Sequence, residues 1–541
     1  VELHPCGGAF GGKEDLSVQA QTALLALVTL SVVLPAPLAA QNPAAAPNPA
    51  AADALWSAGL FKAAPQEILE AAVATRYTGD KAAVVLFEKG RFSFAEDGSL
   101  TRTTSLVFKI LKEDAVRSWG RLSIGWSPWH QDRPVVKVRV VNEDGREYRL
   151  DAASLLESAT GDAGDATYSD RRRLEGPYPQ IRTGSIVEEE ITTVSRPVMD
   201  GAGIVGRWWF RSENPVMSSR LEIVTPPGMP LAVRALGDGV PELSVRTEGG
   251  RTIREYRRTG IEPDNQKEQG LPRDVPQGPV VFFSTAPSWE RLSSAYAALV
   301  DRTIDANPVP LPKEAVVPGD PAATALNLVR WINRRVRYIG LELGENSIVP
   351  YPPGEILSRG HGDCKDKASL LVSLLRQAGY DASVALLWNG SDLDFPPDLP
   401  GMDHFNHAIV RVEGGAGLWI DPTVEWGRDT ALPSWDQERW ALVVRRAGGG
   451  LVRTVAYDQS ANDNTVVLEY FLKDTGRCDL TETTTWSGSY DLYHRQRHVY
   501  ADPAKTKRDL ESYVKDHYND AKLDSWTYLD PNDFSRPFSL T

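Results

Sequence analysis

A multidomain α+β fold is what this chain predicts, and three observations carry it. Its 541 residues exceed what one hydrophobic core organises, so roughly three domains of about 150 residues are expected. Between Lys81 and Ser284 the apolar residues are largely β-branched and partly alternate; from Trp289 they recur with a helical period; after about Gly450 the strand-like pattern returns. The expected order is an N-terminal all-β, sandwich-like domain at 61–285, a central α+β core at 286–447 and a C-terminal β-rich domain at 448–541.

Two segments precede these domains. Ala23 to Gln41, ALLALVTLSVVLPAPLAAQ, is a short apolar run closed by Pro35, Pro37 and the small residues Ala39 and Ala40, the pattern of an export signal cleaved after Ala40. Residues 1–40 are read as that signal, although the leading segment carries little positive charge and no Met precedes Met199, so the true start is expected upstream. NPAAAPNPAAADA, within 41–60, is Ala/Pro-rich and reads as a disordered linker.

PQEILEAAVAT then has Pro65 at the first turn of a short amphipathic helix. AAVVLFEKGRFSF, SLVFKILKED, VVKVRVVNEDGREYRL, GSIVEEEITTV and SRLEIVTPP are separated by Gly, Asp, Asn and Pro, as strands joined by turns are. SWERLSSAYAALVDRTI begins the helical region. In DPAATALNLVRWINRRVRYIG, Asp320 is placed to cap, Pro321 takes the first turn, and Leu328, Val329, Ile332 and Val336 form one face. NHAIVRVEG and GLWIDPT read as a hairpin, TVVLEYFLKD and DLTETTTWSGS as later strands, and DPAKTKRDLESYVKDHY as a charged helix. The ending, DPNDFSRPFSLT, breaks off inside a strand-bearing region, so this domain is expected to continue.

A formal charge of −13 argues against nucleic acid as a partner, because such binders need clustered Lys and Arg. Arg171-Arg172-Arg173 is followed by Glu175 and reads as solvated surface. No run of about 20 apolar residues follows the signal, so no transmembrane segment is expected in the mature chain. Cleavage would remove Cys6 and leave Cys364 and Cys478, too few for a disulfide scaffold; two thiols are expected. GAGIVG, Gly201 to Gly206, has the spacing of a dinucleotide loop, but the strand-like RWWFRSENP follows where a helix N-terminus is needed. Glu188-Glu189-Glu190 lies in a strand, where neighbours point to opposite faces, and reads as edge or surface charge rather than an acid–base pair.

Cys364 is different. In GDCKDKASLLVSLLRQAG, Asp363 is placed to cap a helix, Asp366 is its third residue, and Ala368, Leu371, Leu374, Leu375 and Ala378 mark a buried stripe before Gly379 ends it. The thiol sits off that stripe in the first turn, where unpaired N–H groups and the helix dipole favour an anion and lower a cysteine pKa. A thiolate nucleophile needs a base, and the base an orienting group. His407 begins a strand whose hairpin partner carries an acid at matching depth. With the turn in EGGAG, Glu413 to Gly417, an even-sum register sets His407 opposite Asp421 or Thr423, and His407 and Asp421 share a face with Ile409 and Trp419. Those two would line an apolar cleft wall. Zinc competes, since His361-x-x-Cys364 and His404-x-x-His407 have ligand spacings. A purely structural role is the third reading.

Together these parts resemble the transglutaminase-like superfamily, whose core has a Gly-x-Cys helix, a His at a strand start and an Asp-Pro on the next strand. Here GDCKDKA, FNHAIV and WIDPT follow in that order, the three residues 43 and then 14 positions apart. GDCKDKA with FNH, and PQIRTGSIVEEEIT and NPVMSSRLEIVTPP ahead of them, are similar to a bacterial subgroup in which this core follows a large β-domain of unknown function. The resemblance implies a papain-like core with Cys364 as nucleophile, His407 as general base and then acid, and Asp421 orienting the imidazole. It also implies an oxyanion hole at the Cys364 N–H, with Tyr338 the candidate for a second donor, and no cofactor.

The implied activity is thiol acyl transfer on protein or peptide amides, by glutamine crosslinking, deamidation or peptide hydrolysis. With the signal, the expected setting is the periplasm or the exterior, and the partner a protein or peptide substrate, in one version tied to the cell envelope. A non-catalytic envelope- or peptide-binding module with a vestigial core is the alternative from another class. The loop Asn389 to Phe405 reads as a lid or a surface connection. Nothing in the sequence sets an oligomeric state.

Overall fold

The computed structural model describes residues 49–541 apart from 75–76, 78, 161–166, 265–270, 273, 391–392, 475 and 477; the expected signal lies outside them. The strand-like segments of the N-terminal domain assemble an eight-stranded sheet. Across it run Glu242–Glu248, Arg251–Ile261, Val216–Thr225, Ala83–Phe94, Leu100–Ile110, Ile186–Ser195, Val135–Val141 and Glu147–Arg149. Ala83–Phe94 and Val216–Thr225 are parallel; the other neighbours are antiparallel. Two three-stranded sheets, one through Val280–Ser284 and one through Arg172–Pro177, share a core with it that includes Phe92, Phe108, Leu174, Leu221 and Phe283. Each such side chain contributes about 1.5–3 kcal/mol by leaving water.

The helices Pro49–Ser57 and Pro65–Ala74 form a second apolar cluster with this sheet. The disordered linker expected at 41–60 is therefore corrected from Pro49 onward. Alanine is the strongest helix former, and the segment carries Trp56 and Leu60, both buried with Phe87 and Ile186. The acidic run needs a second correction: Glu188 and Glu189 are buried, not surface charges. Arg139 Nε donates to Glu188 at 2.8 Å and the Tyr178 hydroxyl to Glu189 at 2.5 Å. Such partners offset a desolvation cost of several kcal/mol.

The central domain is a five-stranded antiparallel sheet in the order Leu418–Ile420, His407–Val412, Ala382–Leu387, Trp440–Val443, Gly450–Arg453. The helices Trp289–Ala306, Pro321–Asn333 and Cys364–Gln377 bury Leu292, Leu328, Ile332 and Leu371 in one core with Val384 and Val410 of the sheet. Ser288 Oγ caps the first, accepting from Arg291 N at 3.1 Å, and Asp320 the second, accepting from Ala323 N at 2.9 Å; each cap is worth about 1 kcal/mol. The expected boundary at 447 falls too early, since Gly450 pairs with Val443 and keeps its strand in this sheet.

Two features join the first two domains. Thr167–Ser169 pairs in parallel with Gly340–Glu342, and Gly344 N donates to Asp170 Oδ2 at 3.0 Å. The loop Asn389 to Phe405 is not a plain surface connection. Trp289 Nε1 donates to the Pro397 carbonyl at 2.7 Å, Val205 N donates to Asp403 Oδ2 at 3.2 Å, and Leu399 is buried with Val280 and Phe282.

The C-terminal sheet is Asn464–Leu472, Cys478–Trp486 and Phe538–Leu540, with helices Ser489–Val499 and Pro503–His517. The helix Ser489–Val499 carried no apolar period because its buried positions are Asp491, Arg495 and His498. Among the described residues no helix is long and apolar enough to cross a membrane.

Candidate active site

The helix that opens at Cys364 starts in the capping box its sequence predicts. Asp363 Oδ1 accepts from Asp366 N, and Asp366 Oδ2 from Asp363 N, both at 3.2 Å. Asp366 Oδ1 also accepts from Tyr351 N at 2.8 Å, and Lys365 pairs with Asp363. A Cβ on Gly362 would lie 2.8 Å from Asp366 Cβ, so the box leaves room only for glycine there. Arg337–Tyr338 runs parallel to His361–Gly362 and sets Tyr338 beside Gly362, two residues before Cys364.

The helix is buried all round from Lys365 to Leu375, not along one stripe. Ala378, expected on that stripe, is half-buried at the C-cap. Lys367 is fully buried and donates to Asn333 Oδ1 at 2.8 Å and Glu425 Oε1 at 3.2 Å. From Gly362 to Leu375, Cys364 is the one residue that is not buried. Burial works against a charge on Lys365, but Asp363, Asp366 and the Cys364 thiol hold its ammonium well above its usual range. A standing cation thus acts on the thiol from the next residue, where it favours the thiolate. Cys478 is a second thiol, exposed on the C-terminal sheet.

The Cys364 helix packs against the strands Ala382–Leu387 and His407–Val412, and His407 is the first residue of the latter. Val410 pairs with Ile420 and Arg411 with Trp419; continued to the strand start, this register sets His407 opposite Thr423, one of the two expected. Asp421 follows the partner strand. Its Oδ1 accepts from Thr423 N at 2.8 Å and Oγ1 at 2.7 Å, and its Oδ2 lies 3.2 Å from His407 Nε2. Burial alone would raise the Asp421 carboxyl, but the facing imidazole and Thr423 hold it below the usual carboxylate range. The cleft wall expected from Ile409 and Trp419 is corrected: both are buried with Leu432, Ala441 and Val443, because rings and chains of that size recruit apolar cover.

Asp436 joins this site unannounced. It is fully buried with Oδ2 4.0 Å from His407 Nε2. Its neighbourhood, LPSWDQERW, has no periodicity and gives no signal that separates it from Asp429 or Glu438. The zinc constellation does not assemble. His404 is buried against Phe395, ring centroids 4.6 Å apart, where burial lowers its pKa to about 3, and a His361 ring nitrogen lies 2.9 Å from the Arg359 carbonyl. Among the described residues the group of His, Cys, Asp and Glu side chains compact enough to share a cation is His407, Asp421 and Asp436; there the imidazole itself stands against the carboxylate.

The sequence profile of the transglutaminase-like superfamily matches residues 314–421, a span that begins before the Cys364 helix and ends on Asp421. The chain carries a transglutaminase-like core. Ahead of this transglutaminase-like core, residues 96–264 match a domain of unknown function, DUF3857. The crystal structure of a candidate protease from Parabacteroides distasonis aligns at 15% identity over 70% of this chain and 72% of its own, with a TM-score of 0.54; at that identity the likeness is one of fold. An M1 zinc metallopeptidase from Deinococcus radiodurans aligns at 11% identity over 51% of this chain and 63% of its own, with a TM-score of 0.21, too low to carry an argument. No curated protein matches the chain.

Proposed function

We propose that this chain is an exported thiol acyl-transfer enzyme acting on protein or peptide amides through Cys364, His407 and Asp421. The observation that carries the reading is the single half-exposed thiol at the head of a helix otherwise buried from Gly362 to Leu375. The His407–Asp421 pair supports it, as an imidazole held by a carboxylate is the equipment of a general base. With Nε2 engaged by Asp421, the nitrogen that exchanges a proton with Cys364 is Nδ1. The signal-like segment Ala23 to Gln41 supports export.

In the first half-reaction the Cys364 proton moves to His407, and the thiolate forms a bond to the amide carbon while the carbonyl π electrons move to oxygen. The Cys364 N–H, in the first turn of the helix, is placed to donate to that oxygen. The carbonyl then re-forms, the C–N bond breaks, and the imidazolium protonates the departing nitrogen. An amine or water attacks the resulting thioester with His407 as base and restores the thiol. Incubation with a glutamine-containing peptide library, with and without a primary amine, tests the reading by mass. Ammonia loss with amine addition means crosslinking, ammonia loss with water addition means deamidation, and chain cleavage means peptide hydrolysis. Turnover that persists in Cys364→Ala overturns it.

A further inference from the structure

Asp436 lies beyond the span matched by the family profile, yet the fold wires it to the histidine. Its Oδ1 accepts from Asn389 Nδ2 at 3.1 Å. Asn389 is fixed in turn by Asn406: Asn389 N donates to Asn406 Oδ1 at 2.6 Å, and Asn406 Nδ2 to the Asn389 carbonyl at 2.8 Å. Asn406 immediately precedes His407, so the network returns to the strand that carries the imidazole. The polar atoms that Asp436, Asp421 and His407 turn toward one another lie within 4.8 Å.

Two ionised carboxylates in so small a buried space repel each other strongly, and one is expected to keep its proton. Asp421 Oδ1 accepts twice from Thr423 and its Oδ2 faces His407 Nε2, so Asp421 is the one expected to be the anion. The Oδ2 atom of Asp436 is buried and accepts no hydrogen bond, as an oxygen that bears a proton and donates it requires. The groups that face Asp436 are His407, Asp421, Arg439 and Asn389. Burial pushes its carboxyl well above the usual range and the Asp421 charge adds to this, against the pull of His407 and Arg439.

We propose that Asp436 is a positioning residue for this site: as a neutral acid it donates from Oδ2 to the Asp421 carboxylate and so holds that carboxylate on His407 Nε2. The inference rests on the thiol reading above. With Thr423 on one oxygen of Asp421, His407 Nε2 at the other and Asp436 donating as well, the carboxylate would have no low-cost rotation, and a charge-assisted hydrogen bond is about twice as strong as a neutral one.

The test is the pH profile of Cys364 alkylation by iodoacetamide in the full chain, counted by mass against Cys478. Asp436→Asn keeps the oxygen that Asn389 needs and places an N–H where the O–H stood; its profile should overlay that of the parent chain. Asp436→Ala should slow Cys364 about tenfold near pH 6 and move the midpoint upward, which a merely structural residue would not do. If Asn behaves like Ala, or if folded Ala follows the parent profile, the inference falls. Should Ala fail to fold, Asp436→Ser, too short to reach Asp421, takes its place. A parent Cys364 that reacts no faster than Cys478 and is unaffected by His407→Ala removes the thiol reading itself, and this inference with it.

Discussion

Asp421→Asn tests the charge behind His407 with the least change of shape. The carboxylate and the imidazole are 3.2 Å apart, and both are buried. At an effective dielectric of about 20, an ion pair at that separation gains roughly 5 kcal/mol. Desolvation of both partners offsets much of it, leaving about 1.5–3 kcal/mol for a hydrogen bond between charged groups. At about 1.4 kcal/mol per pKa unit, that is one to two units of His407 basicity, and roughly a 10- to 100-fold loss of thiolate–imidazolium pairs. Asparagine has a second effect: its amide N–H can donate to Nε2 and hold the ring proton on Nδ1, the nitrogen that the proposed mechanism assigns as acceptor of the Cys364 proton. The assay is iodoacetamide alkylation followed by peptide mass analysis, with the exposed Cys478 as reference thiol in the same molecule. Near pH 6 the Cys364 rate should fall by roughly 10- to 100-fold while Cys478 is unchanged, and the gap should close near pH 9, where ordinary thiols ionise. A Cys364 profile within about twofold of the parent chain would refute the reasoning.

Three further outcomes concern stability. Burial pushes the Glu88 carboxyl up to about 7 from 4.5, so the folded chain binds that proton more tightly and stability falls as pH rises through this window. Glu88→Gln should match the parent chain near pH 4 and exceed it by on the order of 1–3 kcal/mol near pH 8, read by thermal melts. Leu371→Ala, at a fully buried position of the Cys364 helix, should cost about 2–5 kcal/mol in urea unfolding; a loss under 1 kcal/mol would mean that the helix is not packed as described. Asp363→Ala removes the cap and the partner of a buried ammonium, and should cost about 1 kcal/mol plus on the order of 3–5 kcal/mol. Adding Lys365→Met should recover most of the second part, and no recovery would place the loss elsewhere.

What could be read from the sequence was what local rules control. The capping box at Asp363 and Asp366 depends on residues three apart, and the shared face of His407 and Asp421 on strand alternation and one short turn. The burial of Glu188 depends on Arg139, which pairs with it across neighbouring strands, and no spacing rule announces that. Asp436 reaches His407 from the stretch between Asp421 and Trp440, which has no period and in which Leu432 packs with Trp419. The helix Pro49–Ser57 was hidden by composition: the alanines that read as low complexity are also strong helix formers once Trp56 has somewhere to go.

The strand Thr167–Ser169 has a consequence for how this protein can be taken apart. A fragment starting near residue 286 would keep Gly340–Glu342 but lose its neighbour, and it would also strip Val280 and Phe282 from Leu399. The exposed edge would begin two residues after Tyr338, and an unpaired edge is a template for aggregation. The smallest piece that can be expected to behave is therefore not the part that resembles an enzyme. It includes the β-domain, which in sequence looks like a detachable accessory and in space completes the core's own border.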